Sequence, residues 1–186
     1  MPFIETSLAG VWIFEPSVYE DDRGYFFESY NEQTFSNQGI GNRFVQDNQS
    51  YSRYGVIRGL HYQLDPHAQT KLVRVLQGRI LDVAVDIRKG SPSFGMSVVI
   101  ELSAENKKEL LIPKGFAHGF SVLSETADVL YKCDAFYSKS SEAGIIYNDP
   151  SLNIDWQIPA EKSIISGKDL ELPLFKDCRN DFQFRG

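Results

Sequence analysis

Cysteine and histidine are scarce in this chain, and their scarcity removes several kinds of protein before any motif is read. The two cysteines, Cys133 and Cys178, lack metal-ligand spacing and read as free thiols of a cytosolic protein. Only three histidines occur, His61, His67 and His118, so a histidine-centred site has few candidates. No apolar stretch approaches ~20 residues, which argues against a membrane span. The opening "MPFIETSLAG" has neither a basic start nor an apolar run, so no signal peptide is expected. The "NQS" sequon at Asn48 is then idle. Cations are outnumbered, with 19 Lys and Arg against 25 Asp and Glu and a net charge of −6. That balance argues against a general nucleic-acid surface, and basic residues that cluster locally suit a small anionic ligand. No G-x-G-x-x-G opens a βαβ unit, which sets aside a nicotinamide fold. No G-x-S-x-G elbow exists for a serine hydrolase. "SGKD" at Ser166 to Asp169 ends like a phosphate loop but lacks its upstream glycine.

What is present is β-structure. Aromatics are plentiful, with 13 Phe and 9 Tyr, as suits a β-rich core or a stacking pocket. Met96, Val98, Ile100 and Leu102 alternate with Ser97, Glu101 and Ser103, the pattern of a half-buried strand. "KLVRVLQGRILDVAVDIRKG" gives two strands around a Gln77-Gly78 turn, the second with Leu81, Val83, Val85 and Ile87 on one face. Turn signals recur at "KGSPSFG", "SAENKKE" and "PKG", so residues from about 44 to 137 form a dense series of short strands. The spacing predicts a closed or double-sheet architecture, a sandwich or jelly roll of roughly eight strands. One short helix is expected at "NEQTFSNQG", capped by Asn31 and ending near Gly39. One or two more are expected after Tyr137, packed beside the sheet. The length fits a single domain, 1–186.

The richest segment is Arg58-Gly59-Leu60-His61-Tyr62-Gln63, with Lys71 ten residues after the histidine. It sets a cation, a possible proton acceptor and a second cation around one strand–turn–strand unit. "PKGFAHGF" around His118 resembles the second motif of cupins, small jelly rolls in which that histidine often binds a metal. Their first motif adds H-x-H and a glutamate, and here that place reads His61-Tyr62-Gln63 followed by "HAQTK". Two histidines with an ammonium nearby make a poor divalent site, so no metal is expected. Each residue also has a plainer reading. His61 fits a hydrogen-bonded core histidine, and Lys71 and Arg58 fit solvated strand charges. Tyr131 and Tyr137 fit strand aromatics, Asp169 a helix cap, His118 a turn residue and Arg23-Gly24 a hairpin tip. Glu28, Gln46, Asn48 and Glu142 fit surface polar residues.

Ordered motifs decide between these readings. "EDDRGYFFESYN", "FVQDNQSYS", "GVIRGLHYQ", "QTKLVRVLQG", "DVAVDIRKGSPSFG", "LSAENKKELLIPKGFAHGF", "VLYKCDAFY" and "SGKD" follow one another from about residue 8 to 174. In order and spacing they resemble the dTDP-4-dehydrorhamnose 3,5-epimerase family, metal-free cupins of deoxysugar nucleotide synthesis. The resemblance implies an all-β cupin jelly roll, a double-sheet β-barrel with a few short peripheral helices. It implies a dTDP-sugar substrate, no cofactor, a cytoplasmic location, and a homodimer in which the N-terminal part lies across the partner. His61 falls on the family's proton acceptor, Asp169 on the carboxylate paired with it, Tyr131 on the proton donor and Lys71 on the cation beside the sugar carbonyl. Arg23, Glu28, Gln46, Asn48, Arg58, His118 and Glu142 match substrate-binding positions, Tyr137 matches the aromatic that stacks on thymine, and Lys168 is a looser match before the aspartate. Where the family often has "QDNHS", this chain has Gln49.

The chemistry of these residue types agrees. Epimerising a carbon beside a ketone needs a base on one face, an acid on the other, and positive charge at the developing enolate oxygen. An imidazole with a carboxylate partner suits the base, a phenol the acid, and Lys71 the enolate oxygen, with a further hydrogen bond expected from His118. Arg23 and Arg58 suit a diphosphate. Two other readings are a relative that inverts one centre or isomerises the ketone, and a sugar-binding jelly roll without catalysis.

Overall fold

The computed structural model describes residues 2–184, and Met1, Arg185 and Gly186 lie outside the described residues. Two antiparallel sheets face one another. The first runs β1 (Phe3–Glu5), β2 (Trp12–Phe14), β10 (Glu109–Ile112), β7 (Lys71–Gln77), β12 (Thr126–Cys133), β5 (Gln46–Arg53). The second runs β13 (Glu142–Gly144), β6 (Ile57–Gln63), β11 (Phe116–Val122), β8 (Arg79–Asp86), β9 (Ser97–Ser103). A separate hairpin pairs β3 (Tyr19–Asp21) with β4 (Gly24–Phe26). The eight strands from β5 to β12 cover the stretch where the sequence spaces its turns. The four short N-terminal strands carry no comparable alternation.

Three apolar clusters hold the layers. Val73, Val75, Ile80, Ala84, Leu110 and Val129 fill the space between the sheets. Phe14, Phe35, Leu72 and Leu111 pack outside the six-stranded sheet, beneath α1 (Glu32–Asn37). Asn31 caps that helix as expected, its side chain accepting from the Gln33 and Thr34 N–H groups. Leu60, Tyr62, Val83, Val85 and Ile87 pack outside the five-stranded sheet against Leu152, Trp156 and Phe182 of the C-terminal segment. β8 is thus buried on both faces, where the sequence suggests one dominant apolar face.

The turn at Gln77-Gly78 is present, but its strands do not pair. β7 bonds to β10 and β12, β8 to β9 and β11, so the chain turns a corner from one sheet to the other. Gly78 permits this with φ +78°, and a Cβ there would stand 2.0 Å from the Thr126 carbonyl oxygen. Past Tyr137 come a 3₁₀ turn at Ala160–Lys162, α2 (Gly167–Leu170) and a second 3₁₀ turn at Phe175–Asp177, short helical pieces beside the sheet.

One buried acid lies apart from the site. Glu109 is 1% exposed between Phe14 of β2 and Arg74 of β7, and its Oε1 has no hydrogen-bond partner. Burial pushes its carboxyl up to about 8, although Arg74 and Lys132 pull it down. The unfolded chain releases that proton near the ordinary value of 4.5 and the folded chain keeps it to about 8. The native state therefore binds the extra proton across this window, and its stability falls as pH rises through it. Glu109→Gln is expected to raise the melting temperature more at pH 9 than at pH 4.5. Parallel pH profiles for the two proteins would show that the carboxyl does not titrate in this way.

Candidate active site

β6 lies near the centre of the site because two glycines let it approach β11. A Cβ on Gly59 would stand 2.7 Å from Gly119 Cα, and one on Gly119 would stand 2.6 Å from the Arg58 carbonyl oxygen. That contact puts His61 and His118 opposite one another in register, followed by an irregularity before Phe120. The side chain of His118 is nearly buried, whereas that of His61 is 32% exposed.

Each histidine is held by a carboxylate. His61 Nε2 lies 2.8 Å from Asp169 Oδ1, and Asp169 Oδ2 accepts the Gly59 N–H at 3.2 Å. Ser166 caps α2 and places Asp169 in its first turn, its hydroxyl accepting the Asp169 N–H at 3.1 Å. Burial works to raise the Asp169 carboxyl, but the bonds from His61, Gly59 and Ser166 outweigh it and hold the group below its ordinary value. Asp169 is thus a carboxylate at neutral pH rather than a helix cap. A proton on Nε2 facing it leaves the lone pair of His61 on Nδ1.

His118 Nε2 meets Asp82 Oδ1 at 2.7 Å inside the barrel. Burial lowers the His118 imidazole from its ordinary value despite Asp82, and Lys71 and His61 lower it further. A neutral ring with its proton toward Asp82 offers Nδ1 as an acceptor. The plainer reading of a turn residue is removed, since His118 stands mid-strand. Asp82 escaped the sequence reading. Two aspartates, Asp82 and Asp86, within the apolar run "ILDVAVDI" were the available signal, because a buried acid needs a partner.

Lys71 opens β7, with Cys133 beside it on β12. Its Nζ stands 5.9 Å from the centroid of the Tyr131 ring. Burial lowers the ammonium from its ordinary value, opposed by Cys133, Asp82 and Glu142. Tyr131 projects from β12 opposite Asn48 of β5. Burial raises its phenol, so the hydroxyl keeps its proton at neutral pH.

Two cavities of about 510 and 410 Å³ meet at these groups, since His61, Lys71 and Tyr131 line both. The larger adds Arg58, His118, Lys168 and Asp169, the smaller Gln46, Asn48, Tyr137 and Glu142. Arg58 is braced by Ser52, whose hydroxyl accepts its Nε–H at 3.0 Å. Gln46 accepts the Tyr137 N–H at 3.0 Å and donates to Asn48 Oδ1, also at 3.0 Å. Glu142 accepts from the Tyr137 hydroxyl at 2.9 Å and from Lys168 at 2.6 Å. Gln49 points to the outer face, where it bonds Asp128 at 2.9 Å, so the departure from "QDNHS" lies away from the cavities.

Two expected residues are not brought in by their own chain. Arg23 sits at the turn of the β3–β4 hairpin, paired with Asp21 and with an 89% exposed side chain. Glu28 bonds Asn31 at the start of α1. The hairpin joins neither large sheet, so nothing directs these groups into the chain's own barrel. Nor do the donors suit a metal. Among the described residues no three His, Cys, Asp or Glu side chains gather as ligands, and the Lys71 ammonium in the same cavity repels a divalent ion.

The fold and these groups define a class, a cupin-type jelly roll whose cavity sets a carboxylate-held histidine beside a lysine and a tyrosine. The family model for dTDP-4-dehydrorhamnose 3,5-epimerase matches residues 5–177, and the chain belongs to that family. It is 52% identical to the dTDP-4-dehydrorhamnose 3,5-epimerase of Shigella flexneri, over 96% of this chain and 98% of that one. Among solved structures it is similar to the enzyme of that name from Elizabethkingia anophelis, with 55% identity, a TM-score of 0.91 and coverage of 94% and 96% of the two chains. It is also similar to the dTDP-6-deoxy-D-glucose-3,5-epimerase of Legionella pneumophila in complex with dTDP-4-keto-L-rhamnose. There the identity is 47%, the TM-score 0.93 and the coverage 99% and 98%.

Proposed function

We propose that this chain converts dTDP-4-dehydro-6-deoxy-D-glucose into dTDP-4-dehydro-L-rhamnose, with His61 as base and Tyr131 as acid. Nδ1 of His61 takes the proton from a carbon beside the C4 ketone, and the electron pair moves onto the ketone oxygen. The Lys71 ammonium stabilises that enolate oxygen, where a buried cation acts more strongly than one in water. The Tyr131 hydroxyl then delivers a proton to the opposite face and the enolate collapses to the inverted ketone. Solvent exchange returns the proton to tyrosinate and removes the one on the imidazolium. The cycle runs once at C3 and once at C5. Asp169 keeps the imidazole in the tautomer that leaves Nδ1 free.

Binding falls to the surrounding groups. Arg58 and Lys168 offer cations to the diphosphate. Tyr137 offers a stacking face to the thymine, with Gln46, Asn48 and Glu142 beside it, and His118 Nδ1 accepts from a sugar hydroxyl. No cofactor takes part. Arg23 and Glu28 serve a neighbouring subunit in a homodimer, the commonest closed assembly. The exposed hairpin aromatics Tyr19, Tyr25 and Phe26 support that reading, since each is at least 61% exposed in the single chain. Sedimentation at micromolar concentration is expected to give a dimer, and a fully active monomer would overturn the shared site. No helix among the described residues is long and apolar enough to cross a membrane. Cytoplasmic placement rests on the two unbridged thiols, and the acidic balance argues against nucleic-acid binding.

The observation that carries this reading is the meeting of His61, Lys71 and Tyr131 where the two cavities join. Incubation with substrate in deuterated water tests it, with label expected at both C3 and C5. Label at one carbon would assign the chain to a single-centre reaction, and no label would leave only sugar binding.

A further inference from the structure

Tyr137 stands on a stretch without regular structure, yet the backbone around it is held from several sides. Residues 134–141 lie between the end of β12 and the start of β13 and form neither strand nor helix. Backbone groups there need partners from outside the sheet ladders. Gln63, two residues after His61 on β6, supplies two of them. Its Oε1 accepts the Ser138 N–H at 2.7 Å, and its Nε2 donates to the Phe136 carbonyl at 3.3 Å. The same Nε2 donates to the His67 carbonyl at 2.6 Å, so both amide protons and the oxygen are engaged. The segment after β6 holds the far end. His67 Nδ1 lies 2.9 Å from Ser141 Oγ, and the Leu64 N–H donates to the Ser141 carbonyl at 2.8 Å. Gln69 donates to the Ala135 carbonyl at 2.7 Å. Gln63 is 5% exposed, whereas Tyr137, between the two residues it holds, is 55% exposed.

We infer that Gln63 is a positioning residue for the nucleotide base, its amide fixing residues 136–138 so that Tyr137 faces the smaller cavity before substrate arrives. The inference rests on the epimerase reading, in which Tyr137 stacks on the thymine. An exposed aromatic on an unheld loop has to be ordered when the ligand binds, and that ordering weakens affinity. The Gln63 amide moves the ordering into folding. Its orientation is set by its partners. Turned over, its amino group would face the Ser138 N–H and its oxygen would face the carbonyls of His67 and Phe136. The period of two along β6 puts His61 and Gln63 on one face, while Tyr62 between them packs on the other side with the outer cluster. One strand therefore carries the base of the reaction and holds the loop that meets the nucleotide. The return of that loop is tied to the same residue, since Glu142, which accepts from the Tyr137 hydroxyl, pairs with Gln63 in register.

The test uses dTDP and inorganic diphosphate as inhibitors of substrate proton exchange in deuterated water, one ligand with the base and one without. Gln63→Met keeps the length of the side chain and removes the amide. It is expected to weaken dTDP about tenfold, within the range of a lost base–aromatic stack, and to leave diphosphate within about twofold. KM for the dTDP-sugar should rise in step while kcat stays within about threefold, the sign of lost uniform binding rather than lost chemistry. Ser141→Ala removes only the hydroxyl facing His67 and is expected to weaken dTDP by about threefold, again with diphosphate unchanged. It decides the matter alone if Gln63→Met does not fold. Folded variants that bind dTDP as the wild type does overturn the inference. So do equal losses for dTDP and diphosphate, or a loss confined to kcat, and all three leave the epimerase reading standing. A wild-type chain that exchanges no substrate proton removes that reading and the inference with it.

Discussion

His61→Asn is expected to abolish both product formation and exchange of substrate protons with solvent, a loss of at least ~10²–10⁴. Asparagine is too short to replace His61 Nε2 at Asp169 Oδ1, 2.8 Å away in the native protein, but Asp169 keeps the Gly59 N–H on Oδ2, so the carboxylate is not stranded. What disappears is the basic nitrogen. An amide oxygen does not take a proton from carbon near neutral pH, whereas an imidazole held in one tautomer by a carboxylate does. The His61 side chain is 32% exposed, so the change opens no sealed core cavity and stability should alter little. Proton NMR in deuterated water, with a melting curve beside it, reads both effects. Exchange at the wild-type rate in a folded His61→Asn protein would show that the base is another group.

Much of the architecture was legible because its strands keep their faces distinct. In β9 the alternation of Val98, Ile100 and Leu102 with more exposed neighbours survives in the fold, whereas Met96, expected on the same face, precedes the strand and is exposed. The Asn31 cap and its helix were legible for a local reason, since the side chain that starts the helix is in the sequence itself. β8 shows the limit. The C-terminal segment covers its outer face, so Ile80 and Ala84 face one cluster while Val83, Val85 and Ile87 face another, and alternation cannot reveal two buried faces. Nor does a Gln-Gly turn state whether its strands pair or part into different sheets. That is settled by long-range partners, β10 and β12 for one strand and β9 and β11 for the other. Of the short N-terminal strands, β2 owes its place to pairing with β10, a partner about a hundred residues away in the chain, and β1 then adds to β2.

The site was legible through its residue types and order, less so through its contacts. His61, Lys71 and Tyr131 come from three strands and two sheets, yet they line the same two cavities. His61 and Asp169 lie 108 positions apart and still touch. No spacing argument reaches that far, and only the resemblance linked them. Asp82 went unnoticed because its neighbours are apolar, and its role appears only when His118 is seen to need a partner inside the barrel. Arg23 and Glu28 are residues with the right chemistry that their own chain leaves outside.

Tyr131→Phe is expected to separate two events that His61→Asn removes together. The substitution deletes one hydroxyl and keeps the ring that packs against the apolar cluster between the sheets. His61 can still take the α-proton, and Lys71, with its Nζ 5.9 Å from the ring centroid, can still stabilise the enolate oxygen. Without a donor on the far face, the enolate takes its proton back from the imidazolium side. His61 sits in an open cavity where its proton exchanges with solvent, so deuterium enters the substrate with retained configuration. Inverted product should fall by about 10²–10⁴, the usual contribution of a positioned acid, while exchange persists. A generally damaged pocket would lower both rates together, which makes their ratio the informative quantity. Burial raises the Tyr131 phenol, so the wild-type donor is protonated throughout the neutral range and its step should not weaken between pH 6 and 8. If Tyr131→Phe inverts its substrate at the wild-type rate, Tyr131 is not the donor and the final proton comes from Tyr137 or a water.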